Sequence, residues 1–93
     1  MTKAIWNGTV VAESEDTLVV DGEHYFPEGA LKREYLLSSN HRSNDSGKGQ
    51  ARFFSLLVDG DLKADAAWTY PEPLEGAEAL KGRVAFGKGV QVV

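Results

Sequence analysis

The sequence predicts a mainly β fold: one small domain, residues 1–93, built as a curled antiparallel meander with one or two short helices. Two observations lead there. Asn7-Gly8, Asp21-Gly22 and Asp59-Gly60 each separate runs of β-branched and aromatic residues. Dipeptides of this kind tolerate positive φ at both central positions of a two-residue hairpin turn. The segment Ala51–Pro73 then places two period-two apolar runs around Asp59-Gly60. With Val58 opposite Asp61, its register sets Leu57 against Leu62, Ser55 against Ala64, Phe53 against Ala66 and Ala51 against Trp68. One face then carries Ala51, Phe53, Leu57, Leu62, Ala64, Ala66 and Trp68 and reads as a core wall. Arg52 and Asp65 fall diagonally across the reverse face, within reach of an ion pair.

The elements follow in order. Ala4–Trp6 and Thr9–Ala12 form the first hairpin, and Thr17–Val20 with Glu23–Phe26 the second. Pro27 cannot donate to a ladder, and Pro27–Leu31 suits a short helical turn. Arg33–Leu37 reads as a short strand. Ser38–Gly49 has no apolar side chain and reads as the longest loop, a length usual for functional or disordered segments. Beyond Pro71-Glu72-Pro73, Gly76–Lys81 offers a short helix, with Gly82 placed for a positive-φ cap. Arg83–Phe86 and Val90–Val93 complete the sheet.

Composition narrows the function. With 93 residues, 42% hydrophobic and 26% charged, the chain has the make-up of one folded domain. A net charge of −4 opposes phosphate-backbone binding, so no nucleic-acid partner is expected. The absence of cysteine excludes disulfides and thiolate zinc sites. Met1–Gly8 holds no apolar run suited to a signal peptide or membrane span, so a cytoplasmic monomer or homodimer without membrane contact is expected.

Asp65–Pro73 (D-A-A-W-T-Y-P-E-P), Lys48–Phe54 (K-G-Q-A-R-F-F), His24–Glu28 (H-Y-F-P-E), Arg33–Leu36 (R-E-Y-L) and Gly82–Val90 (G-R-V-A-F-G-K-G-V) together resemble a small bacterial family, domain of unknown function 427. That family also carries a nucleotidyltransferase-type name. The resemblance spans nearly the whole chain and implies a compact β-tent-like domain without an established activity. One departure stands out: members usually place Cys-Pro-Trp before Lys-Gly, whereas Asp45-Ser46-Gly47 precede Lys48-Gly49 here. The nucleotidyltransferase label finds no support in the residues. A Gly-Ser motif followed by paired metal-binding aspartates is missing, and Asp59-Gly60-Asp61 is explained as a turn.

The candidate chemistry is sparse. Lys48, Arg52, His41 and Arg42, with backbone N–H groups of Gly47 and Gly49, form an anion-binding candidate. A solvated loop explains the same residues. His24 and His41 are the two histidines. Their spacing suits no metal motif, no metal or other cofactor is expected, and His24 reads as a strand histidine facing Val19. Asp65 suits a general base, with Tyr70 orienting and Trp68 stacking on a ligand, while a core tryptophan and an Asp65–Arg52 ion pair account for them equally. Three functions remain open. The first is a binding module for a small anionic ligand or a peptide, held by Lys48, Arg52, Trp68 and Tyr70. The second is an interaction or scaffold domain. The third is a small hydrolase or group-transfer enzyme using Asp65 with His24 or His41.

Overall fold

The computed structural model describes residues 1–93. It consists of nine strands: β1 (Thr2–Trp6), β2 (Thr9–Ser14), β3 (Leu18–Val20), β4 (Glu23–Pro27), β5 (Leu36–Asp45), β6 (Gly49–Val58), β7 (Asp61–Thr69), β8 (Arg83–Phe86) and β9 (Gln91–Val92). They form two antiparallel sheets. The smaller has the order β2-β1-β9 and the larger β3-β4-β8-β7-β6-β5. The mainly β class and the three tight turns are as the sequence predicts. Asn7, Asp21 and Asp59 have φ of 53°, 52° and 51°, and the glycine after each is also positive. Asn and Asp tolerate this region better than most residues, because their short side chains bond locally.

The connectivity is less simple than a meander. The first hairpin leaves the main sheet and forms its own with β9, which pairs with β1 and not with β8. Reciprocal bonds of 2.9 Å between the Lys3 and Val93 backbones close that edge. The helical signals are 3₁₀ turns at Glu28–Ala30, Arg33–Tyr35 and Glu78–Leu80, and Gly82 follows the last with φ 75°. Arg33–Tyr35 is therefore a turn and not the strand expected there. Ser38–Gly49 is no loop either. Most of it is β5 and the start of β6, joined by a tight turn at Ser46–Lys48. A polar stretch disguises an edge strand, because only one side of it has a partner to pack on.

The central hairpin forms, but its register slips. Val58↔Asp61, Leu57↔Leu62 and Leu56↔Lys63 give way to Phe54↔Ala67, Phe53↔Trp68 and Arg52↔Thr69. The additional residues lie on β7 around Asp65, which has φ 52°. Phe53 thus faces Trp68 and not Ala66, and Arg52 faces Thr69, which takes Asp65 off its expected diagonal. β5 slips similarly between Ser38 and Arg42, against the same part of β6. Bulges on both neighbours of one strand add twist and bend the sheet locally. The Ser39 hydroxyl donates to Asp65 Oδ1, and the Asp65 N–H donates to Ser55 Oγ at 3.0 Å, so the two bulges are tied across β6.

The curl gives the large sheet two buried faces. One packs on the small sheet, burying Ala4, Val11, Ala12, Phe26, Leu56, Val58, Ala67, Val84 and Phe86. Phe26 and Phe86 meet edge to face at 5.5 Å. The other face buries Tyr25, Ala51, Tyr70, Leu80 and Ala85, with Phe53 and Trp68 half-buried against them. The expected core wall is therefore corrected at the turn end of the hairpin. Leu57 and Leu62 are 39% and 60% exposed, while Leu56 and Val58 beside them are buried.

Candidate functional site

The β5–β6 turn is the centre of the site. Asp45 ends β5, and its Oδ1 accepts the backbone N–H groups of Gly47 at 2.8 Å and Lys48 at 3.0 Å. The Gly47 bond is the largest cause holding the Asp45 carboxyl below its usual value of about 3.8; burial opposes it, and the Lys48 charge and hydrogen bonds add to the lowering. Lys48 points back over the molecule. Its Nζ lies 2.6 Å from Asp21 Oδ2 and 3.6 Å from Asp45 Oδ2. The hydrogen bond to Asp21 raises the Lys48 amine above its ordinary value, with both carboxylates adding to the effect. The Lys48 carbonyl accepts the Leu74 N–H at 2.9 Å, which draws the segment after Pro73 across the turn. Gly49 is needed at this crossing. It has φ 116°, and a Cβ there would stand 3.1 Å from the Glu72 carbonyl oxygen.

Beside this turn lies a cleft of about 220 Å³, lined by Ser43, Asn44, Asp45, Ala51, Phe53, Trp68 and Tyr70. Strand alternation explains the grouping. Ser43 sits opposite Ala51, Phe53 opposite Trp68, and all four share one face of the sheet. The Phe53 and Trp68 rings stand 6.2 Å apart at 47°, and His41 lies against Phe53 at 4.6 Å with the rings tilted by 53°. The indole is held from two sides. Its Nε1–H donates to the Tyr25 hydroxyl at 3.3 Å, and the backbone at Gly87 lies so close that a Cβ there would come within 3.3 Å of the ring. Tyr70 is almost fully buried, and burial is the main reason its phenol is pushed above its usual value of about 10.0, with Tyr25 and Asp45 adding to it.

A second groove of about 230 Å³ opens on the Asp21 side of the same turn, between Leu18, Val20, Lys48, Ala77 and Leu80. The Lys48–Asp21 pair lies along it.

Of the residues singled out in the sequence, the fold brings Trp68 and Tyr70 into one cleft and leaves Lys48 at the adjoining turn. His41 reaches the same face through Phe53. Arg52 does not join them. It alternates with Ala51 and Phe53 and so projects from the opposite face, beside Arg42. Arg42 Nη1 donates to the carbonyls of Ser39 and His41 at 3.0 and 2.8 Å, which caps the bulge on the edge strand. Asp65 is bound to Ser39, so the Arg52–Asp65 ion pair does not form. His24 faces Val19 as expected, and its Nδ1 lies 3.0 Å from Thr17 Oγ1 on the edge hairpin. No group of three or more His, Cys, Asp or Glu side chains is placed to hold a metal. Sequence reading missed Tyr25, Ser43, Asn44 and Asp45, and it took Phe53 as core alone. Ala51, Phe53 and Trp68 do share a face in the two-residue pattern, and that was the legible signal. The strand that completes the cleft was hidden in the polar stretch.

A family model described as NTP_transf_9, Domain of unknown function (DUF427), matches residues 1–93. No curated protein matches the chain.

Proposed function

This chain belongs to the family of domain of unknown function 427, and from that premise we propose that it is a binding module for a small ligand seated over Phe53, Trp68 and Tyr70. The supporting observation is that these rings line one concave surface with the Asp45 carboxylate at its rim. Concave sites with an apolar floor and a few convergent polar groups are the usual form of small-molecule sites. The indole is already fixed by Tyr25 and Gly87, so little side-chain freedom is lost when a ligand arrives. The Lys48 ammonium is already paired with Asp21 and lies within reach of Asp45, which disfavours an anion there, so the rings are taken as the first contact for any ligand, peptide or small molecule. Arg52, on the other face, takes no part.

The test is a screen of small aromatic, cationic and anionic compounds and short peptides by amide and indole chemical shifts. Binding should move Ser43, Asp45 and the Trp68 indole N–H, and Phe53→Ala should weaken it about tenfold. Shifts that avoid this cleft with every compound overturn the reading. A second reading, an interaction domain, is favoured by Leu57 and Leu62, which stand exposed opposite each other near the hairpin tip. Sedimentation showing self-association that Leu62→Lys abolishes would support it, and a monomer at every concentration would oppose self-association through this tip.

A further inference from the structure

We infer that the cleft takes a compact organic cation, a quaternary or methylated ammonium group; this rests on the binding reading above and names its ligand class. The lining contains Asp45 and no lysine or arginine. Lys48, on the adjoining turn, is paired with Asp21 and lines the other groove. Asp45 is ionised at neutral pH, and its two oxygens are unequally used. Oδ1 accepts two backbone N–H groups, whereas Oδ2 has only the Lys48 ammonium at 3.6 Å, beyond hydrogen-bond length. Oδ2 therefore keeps acceptor capacity, while Lys48 remains in ion-pair range of the same carboxylate.

The floor suits the same ligand. Phe53 and Trp68 meet at 47°, so neither ring lies flat on the other, and His41 contacts Phe53 at 4.6 Å, which leaves the Trp68 ring as the main cation-binding face. Aromatic faces attract cations through the ring quadrupole, tryptophan most strongly, and the attraction grows when the cation is desolvated. A methylated ammonium is the cation that loses least on leaving water, and it asks for few hydrogen-bond acceptors. Size points the same way. Drug-sized ligands occupy clefts of roughly 300–1,000 Å³, and about 220 Å³ matches a headgroup more closely. The overall charge of −4 favours approach of a cation and disfavours an anion.

The experiment compares choline and tetramethylammonium with 3,3-dimethylbutanol, the neutral isostere of choline, and with acetate, by chemical-shift titration of the whole chain. Choline and tetramethylammonium should shift Ser43, Asp45 and the Trp68 indole N–H saturably, and bind at least roughly fivefold tighter than the neutral isostere. Asp45→Asn keeps the Oδ1 acceptor of the turn while removing its charge, and should weaken the cations several-fold without changing the isostere. Glu15→Gln, which removes an exposed charge away from the cleft lining, should leave cation binding unchanged. If isostere and cation bind equally, or acetate binds better, the inference falls while the binding reading stands. If none of the four shifts the cleft, the inference falls, and the reading then depends on the wider screen.

Discussion

Asp45, Lys48 and Tyr70 show how single residues set the behaviour of the site. The Asp45 carboxyl is lowered in the folded chain, so its contribution to stability is present above about pH 3.8 and is lost as pH falls through the lower folded value. The Lys48 amine and Tyr70 phenol are raised. Their contributions are full below their ordinary values of 10.5 and 10.0 and are lost as pH rises through the folded ones. Urea midpoints should therefore hold steady near neutrality and fall at both extremes. Asp45→Asn should remove part of the acid limb, and Lys48→Met part of the alkaline limb. The Lys48 effect should shrink in salt, because its partner Asp21 is 73% exposed. An acid limb unaltered by Asp45→Asn would show that the turn, and not the carboxylate charge, carries that role.

At the scale of elements, alternation along β6 decides which of its side chains are buried, and the bulges on its two neighbours decide which residues they meet. Leu56 and Leu57 are adjacent and chemically identical, yet one is buried between the sheets and the other faces water. Leu56→Ala should cost about 2–5 kcal/mol in chemical denaturation, and Leu57→Ala no more than about 0.5 kcal/mol. Equal losses would contradict the packing. The same bulges explain why the candidate site was half legible. Turn chemistry located the hairpin and the alternation placed Ala51, Phe53 and Trp68 together. The slip at Asp65 has no marker in the sequence, because Ala64-Asp65-Ala66 continues the alternating pattern without a glycine. A simple ladder therefore misdirects Asp65 toward Arg52. The edge strand β5 was equally hidden, since Ser38–Asp45 carries none of the apolar periodicity by which strands are recognised.

For the whole molecule, the first hairpin and β9 form a separate sheet that shares its core with the larger one. Trp6 packs at the edge of that shared core, and Trp68 lies on the far face of the large sheet. Because that shared core draws on both sheets, unfolding should be one cooperative event. The single-tryptophan variants Trp6→Phe and Trp68→Phe should report the same denaturation midpoint, relative to each variant's own circular dichroism. Separate transitions would show that the sheets melt independently. Read alone, the sequence carries the β class, the three positive-φ turns, the helical turns at Glu28–Ala30 and Glu78–Leu80 and the family, because each depends on local backbone preference or on residues in fixed order. Only the tertiary structure decided that β9 returns to β1, that the hairpin slips at Asp65, and that Asp45 joins the rings around one cleft. Those outcomes depend on which distant surfaces bury one another, and a chain's local pattern does not encode that competition.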